Sequence, residues 1–245
     1  MVADSLPEPL RQRIASAWSF RYHVEREAQA RFARLASWLE QAGAPPPLVE
    51  LARRSSEDER RHAAHCAALA HEYGTPVPGE VPVVLPEIAP RSLSFPQKLL
   101  YELVAASCVA ETVSVGVLMR LRPVAGNERM RAVLHELLQD EVVHSRLGWA
   151  YLAHVAPSEN VTFLGRFLPD MLEVTAAQDV EATAPTPEDE DPALLPHGVL
   201  PHTERRALFA SAMRDVVMPG LDQHGVPTDP AREWLGRYGL ATPPG

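Results

Sequence analysis

Two ten-residue stretches decide how this chain folds: EDERRHAAHC at residues 57–66 and LLQDEVVHSR at residues 137–146. Each spells Asp-Glu-x-x-His, as Asp58, Glu59 and His62 in the first and Asp140, Glu141 and His144 in the second. Both lie in segments whose apolar residues recur with the period of an α-helix. On a helix, residues seven or eleven positions apart share nearly one face. For Glu59 those positions hold Leu48, Ala52, Cys66 and Ala70; for Glu141 they hold Met130, Leu134 and Gly148. Both glutamates therefore fall on an apolar face, and each histidine follows three residues later on the same side. Carboxylates placed in a core are costly unless they are paired or bind a metal.

Working outward, the same test separates two candidates on the first helix. Glu25 shares its face with Ile14, Trp18, Phe32, Ala36 and Leu39, whereas Glu27 keeps company with Phe20, Val24, Arg31 and Arg34. Glu25 is expected to point inward and Glu27 outward. On the third helix Glu111 lies with Leu100, Val104, Cys108 and Leu118, while Glu102 falls elsewhere. The inward set is then Glu25, Glu59, His62, Glu111, Glu141 and His144. Two helices contribute one Glu each and two contribute Glu-x-x-His, a ligand set for a pair of first-row metal ions in a four-helix bundle. Four carboxylates offset most of the charge of two divalent ions, and one imidazole completes each half. Asp58 and Asp140 suit an outer role, because a metal-bound histidine usually donates its other N–H to a carboxylate. If the helices run antiparallel, Asp58 reaches His144 and Asp140 reaches His62.

The helical period dominates the chain, with little strand-like alternation. Residues 8–41 read as helix one, closed by AGAPPP, and residues 46–73 as helix two, stopped at Gly74. The stretch from Gly74 to Pro96 is long, proline-rich and apolar, which suits a crossover packed along the bundle. Residues 96–121 and 127–154 read as helices three and four, and the short link RPVAGN makes them antiparallel neighbours. Helices one and two thus form one unit and helices three and four a second, each ending in Asp-Glu-x-x-His. Beyond 155, VTFLGRFLPDMLEV reads as a helix disturbed at Pro169, 182–202 as an acidic, proline-rich loop, and TERRALFASAMRDVVMPG as a helix capped by Thr203. A short last helix starts with Asp229 as cap. The expected whole is one all-α domain, 1–245: a four-helix bundle over 8–154 with a C-terminal helical extension over 155–245.

Composition narrows the partners. A net charge of −9 without a long basic run argues against nucleic acid or anionic membrane. The N-terminus lacks the apolar core of a signal peptide, and no run of about 18 apolar residues suggests a membrane span; a cytoplasmic protein is expected. Cys66 and Cys108, the two cysteines, have no CxxC spacing and read as small core residues. Trp18 and Tyr22 read as packing, and His65, His71, His135 and His154 as surface groups.

The set formed by Glu25, Glu59-Arg60-Arg61-His62, Glu111 and Glu141-Val142-Val143-His144, spanning roughly residues 14–154, resembles the ferritin-like di-iron carboxylate superfamily. Asp58-Glu59-Arg60-Arg61-His62 is similar to the Asp-Glu-x-Arg-His form of its oxygen-activating members, which adds Arg61 to the outer set. The general likeness is to stand-alone bacterial di-metal oxidases and oxygenases, often of secondary metabolism. N-oxygenating members carry a further His one turn before the last Glu-x-x-His, where this chain has Leu137, and rubrerythrins carry a CxxC site that it lacks. The resemblance implies two metal ions, Fe/Fe or Mn/Fe, that react with dioxygen or peroxide. It implies a small-molecule substrate and an external electron donor as partners, and it allows a homodimer. Phe163, Phe167, Met171, Phe209 and Met213 are candidate pocket walls. Two other functions share the ligand set: iron or peroxide handling of ferroxidase or peroxidase type, and a scaffold whose metals only stabilise the bundle.

Overall fold

A computed structural model describes residues 6–77, 83, 85–179 and 185–240. Among them the chain is all-helical, with no strand. Parts of the expected crossover (78–82 and 84) and of the acidic loop (182–184) lie outside the described residues. The long elements are α1 (Glu8–Gln41), α2 (Pro46–Glu72), α3 (Phe95–Leu103), α4 (Glu111–Leu121) and α5 (Glu128–Val155). They are followed by α6 (Leu168–Asp179), α7 (His202–Ala212), α8 (Met218–Gln223) and α9 (Asp229–Arg237). Contacts group the chain into two compact units.

The first unit comprises Met1–Ile88, Leu121–Asp140 and Pro185–Pro201. Its heart is the α1–α2 pair. α1 buries Leu10, Ile14, Trp18, Tyr22 and Glu25, then Phe32, Leu35 and Leu39, at steps of three, four or seven as an amphipathic helix requires. α2 answers with small residues, Ala52, Ser55, Ala63 and Ala70, which let the two backbones approach. Both helices end in the same device. Gly43 and Gly74 take left-handed φ of 68° and 100°, and the following amides, of Ala44 and Thr75, reach back to the carbonyls of Leu39 and Ala70. The first half of α5 runs antiparallel to α2, because Glu72 meets Arg129 while His65 meets Glu136 and His62 meets Asp140. Its start is capped by Asn127, whose Oδ1 accepts from the Met130 amide at 2.8 Å. Arg34 donates to the Leu85 carbonyl at 3.0 Å, tying that described part of the crossover to α1. The end of the acidic segment folds as two 3₁₀ turns, Pro187–Glu190 and Pro192–His197. It is fastened by Asp189 on Arg13, by Trp18 donating to the His197 carbonyl at 2.9 Å, and by Tyr73 against His197 Nδ1 at 2.8 Å. Gly198, at φ 72°, leaves the space where a Cβ would meet the Trp18 ring at 2.6 Å.

The second unit comprises Ala89–Arg120, Glu141–Ala184 and His202–Gly245. α3 opens on a capping box of Ser94 and Gln97. It continues through a π-helical segment, Val104–Ala110, into α4. Every residue from Leu99 to Val109 is buried, so this helix is covered on all sides rather than along one stripe. That corrects the expectation for Glu102: off the Glu111 face is still interior here, and Glu102 is fully buried. It also qualifies the reading of membrane spans. Phe95–Val124 is long and apolar enough to cross a bilayer, but 61% of the relevant window is buried within the protein. The second half of α5 lies antiparallel to this helix: Ser114 meets Glu141, and Cys108 meets Gly148.

Three expectations for the last ninety residues are adjusted. Pro169 sits in the first turn of α6, after a 3₁₀ turn at Thr162–Phe167, so it starts a helix rather than disturbing one. α7 begins at His202, which puts Thr203 inside its first turn, and the cap of α9 is Thr228, one residue before Asp229. The α7 helix passes through a second π segment, Met213–Val217, which packs near the first. Met171, Phe209 and Met213 are buried in this unit, and Phe167 stands edge-on to Tyr101 at 5.8 Å between ring centroids.

Candidate metal centre

All six inward candidates are buried: Glu25, Glu59, His62, Glu111, Glu141 and His144. Glu27, set apart by the same face test, is exposed. In the first unit α1 supplies Glu25, and α2 supplies Glu59 and His62. Each offers a ligand atom within 4.8 Å of the others. The His62 ring is oriented by its two nitrogens. Nδ1 faces Glu59 Oε2 at 3.1 Å and Glu25 Oε2 at 3.9 Å, while Nε2 meets Asp140 Oδ2 at 3.2 Å. One nitrogen thus faces the glutamates and the other is held by the outer carboxylate, the contact expected for antiparallel helices. This buried carboxylate–imidazole group could hold a metal ion.

Arg61 fastens the outer layer. Its guanidinium donates to Asp58 Oδ1 at 2.6 Å and to Asp140 Oδ2 at 3.0 Å, and it approaches Glu136 at 3.6 Å. The hydrogen bond to Asp58 and the nearby Asp140 charge raise its already high pKa further, so it is a permanent cation. Asp58 also pairs with Arg54 at 3.8 Å and is buried. His65, read from sequence as a surface group, is half-buried and meets Glu136 at 3.2 Å.

In the second unit one contact of this pattern recurs. His144 Nδ1 meets Glu141 Oε2 at 3.1 Å, matching His62 and Glu59. The Ser114 hydroxyl donates to Glu141 Oε1 at 3.3 Å. Glu111 opens α4 directly after the π segment. α5 passes close to that segment because residue 148 is glycine: a Cβ there would lie 2.7 Å from Cys108 Sγ and 2.8 Å from the Leu103 carbonyl. Burial holds the Cys108 thiol well above its ordinary pKa and pushes the Tyr101 phenol up to about 12, so both stay protonated at neutral pH.

Sequence reasoning missed Arg21, Ser114 and Glu136. Arg21 was visible as the i−4 neighbour of Glu25, and its Nε donates to Glu25 Oε1 at 2.8 Å. Ser114 and Glu136 depend on which helix lies opposite, and the period of a single helix does not carry that. No protein-family model and no curated protein matches this chain.

Proposed function

We propose that this chain is a non-haem di-metal oxidoreductase on a ferritin-like four-helix bundle, using Fe/Fe or Mn/Fe to activate dioxygen or peroxide and oxidise a small organic substrate. The observation that carries the reading is the buried Glu25–Glu59–His62 group with Asp140 on the far side of the imidazole. The donor set fits: carboxylate oxygens and neutral imidazole nitrogens suit divalent first-row ions. A core holding such acids without a cation would bear a desolvation cost that apolar residues avoid. Glu25, Glu59 and His62 would hold one ion and Glu111, Glu141 and His144 the other. Asp140 and Glu141, successive residues of α5, assign one carboxylate to each half.

The bound pair supplies the redox electrons and the Lewis acidity. The chain's own residues bind, orient and exclude water. Glu25 and Glu59 present oxygens at one wall, and Asp140 on Nε2 favours the His62 tautomer whose Nδ1 lone pair would be turned to a metal ion. Ser114 steadies one oxygen of Glu141. The apolar surroundings, Leu99–Val109 among them, keep bulk water from the reacting atoms. The test is oxygen uptake after anaerobic loading with ferrous iron. The proposal expects uptake faster than that of free ferrous iron, lost in Glu59→Ala. Uptake at the rate of free iron contradicts it. Continued uptake with iron in large excess, ending in a mineral, would instead favour iron handling.

A further inference from the structure

We propose that Ser107 is a positioning residue of the second unit: its hydroxyl donates to a small oxygen- or nitrogen-donor ligand of the ion held by Glu111, Glu141 and His144. The inference rests on the di-metal reading above. Ser107 is fully buried in the π-helical segment, and its Oγ meets no hydrogen-bond partner within the protein. A helical hydroxyl can ordinarily fall back on a carbonyl of the preceding turn. Ser55 and Thr175 do so, donating to the Leu51 and Met171 carbonyls at 3.0 Å. Ser145 and Ser211 likewise donate to the Val142 and Leu208 carbonyls, at 3.0 and 3.2 Å. An unsatisfied buried hydroxyl is costly, and alanine would fit the same space without that cost. Small size does not account for the serine, because the segment already uses Ala105, Ala106 and Ala110.

The place of Ser107 in the fold points to what it serves. It lies four residues before Glu111. Helical side chains lean toward the turn that precedes them, so the Glu111 carboxylate extends over the turn that carries Ser107. The facing half of α5 gives the same level. A Cβ on Gly148 would lie 2.9 Å from Ser107 Cβ, and Ser114 meets Glu141. In that antiparallel register Glu111 stands opposite His144, and Ser107 stands one turn, about 6 Å along the axis, to one side of them. Ser114 stands on the other side and donates to a glutamate oxygen. One hydroxyl thus steadies a ligand carboxylate, and the other can donate to what the ion binds. A hydroxyl suits that task, since it donates one hydrogen bond without bringing a charge to the ion.

The test is azide binding to the Co²⁺-loaded full chain, followed by visible absorption and by the infrared stretch of bound azide. Wild type is expected to bind azide. Ser107→Ala should weaken that binding by roughly tenfold and shift the azide band, with Co²⁺ affinity as in wild type. The metal-free Ser107→Ala protein should melt no lower than wild type, because it loses an unsatisfied hydroxyl. Ser107→Cys, a weak donor, carries the same expectation for azide should Ser107→Ala fail to fold. Azide affinity and band unchanged in the variants overturn the inference, as does Co²⁺-loaded wild type that takes up no azide. Co²⁺ affinity that falls as far as azide affinity, or a lower melting temperature of metal-free Ser107→Ala, overturns it too, since the hydroxyl would then serve the fold. Each of these leaves the di-metal reading intact. Wild type that binds no Co²⁺ contradicts the di-metal reading itself.

Discussion

The two nitrogens of His62 face different partners, Glu59 through Nδ1 and Asp140 through Nε2. The second contact holds one edge of the ring while the first turns the other edge to the glutamates. Replacing Asp140 by Asn keeps the shape but removes the charge that orients the imidazole. Metal affinity should fall by about 10–100-fold, measured by titration, with helical circular dichroism unchanged. Gly148 is a residue of a different kind. A Cβ there meets a backbone carbonyl and the buried Cys108 sulfur inside 3 Å, and backbone yields little. Gly148→Ala should cost about 1–3 kcal/mol in denaturant unfolding; an unchanged midpoint would mean α5 does not approach the π segment so closely. At this scale the sequence was informative wherever one helix face decided the outcome. Glu25 and Glu27 separated by periodicity alone, and the structure buries the first and exposes the second. Glu102 did not separate, because a face test distinguishes core from solvent only when the helix has a solvent side.

Among the elements, the limits of α1, α2 and α5 were legible to within a residue, because glycine, proline and asparagine mark their ends with specific backbone chemistry. The π segments at Val104–Ala110 and Met213–Val217 were not. They fit an extra residue into a turn, and no residue type announces that. The 3₁₀ turns of the Pro185–Pro201 segment were likewise hidden in a proline-rich stretch. That segment carries its own test. Burial lowers the pKa of His197 below the ordinary 6.5, and the Tyr73 hydroxyl is hydrogen-bonded to its Nδ1 at 2.8 Å. In the unfolded chain the ring takes up a proton near pH 6.5, while the folded ring resists until lower pH. The unfolded state therefore binds more protons in that window, and this contribution to stability is complete above pH 6.5 and is lost as pH falls toward the folded value. His197→Asn should flatten the fall in melting temperature between pH 7 and 5 relative to wild type. Parallel slopes for the two proteins would show that His197 does not titrate across folding.

For the molecule as a whole, an acidic, all-helical chain with a repeated Asp-Glu-x-x-His was readable from composition and period. The grouping of contacts was not. Each unit gathers segments from early, middle and late in the chain, and α5 runs from one unit into the next at the bond between Asp140 and Glu141. Such grouping depends on long-range packing that no local pattern records. The proposed function lives at this scale: on that reading the two repeats serve two ions, one for each set of ligands. The most direct measurement is iron content per chain after anaerobic loading and removal of free metal, for wild type, Glu25→Ala and Glu141→Ala. The account predicts about two irons per wild-type chain and a loss in each variant, with both variants retaining their helical circular dichroism. Iron absent from the wild type, or retained undiminished in both variants, would contradict it.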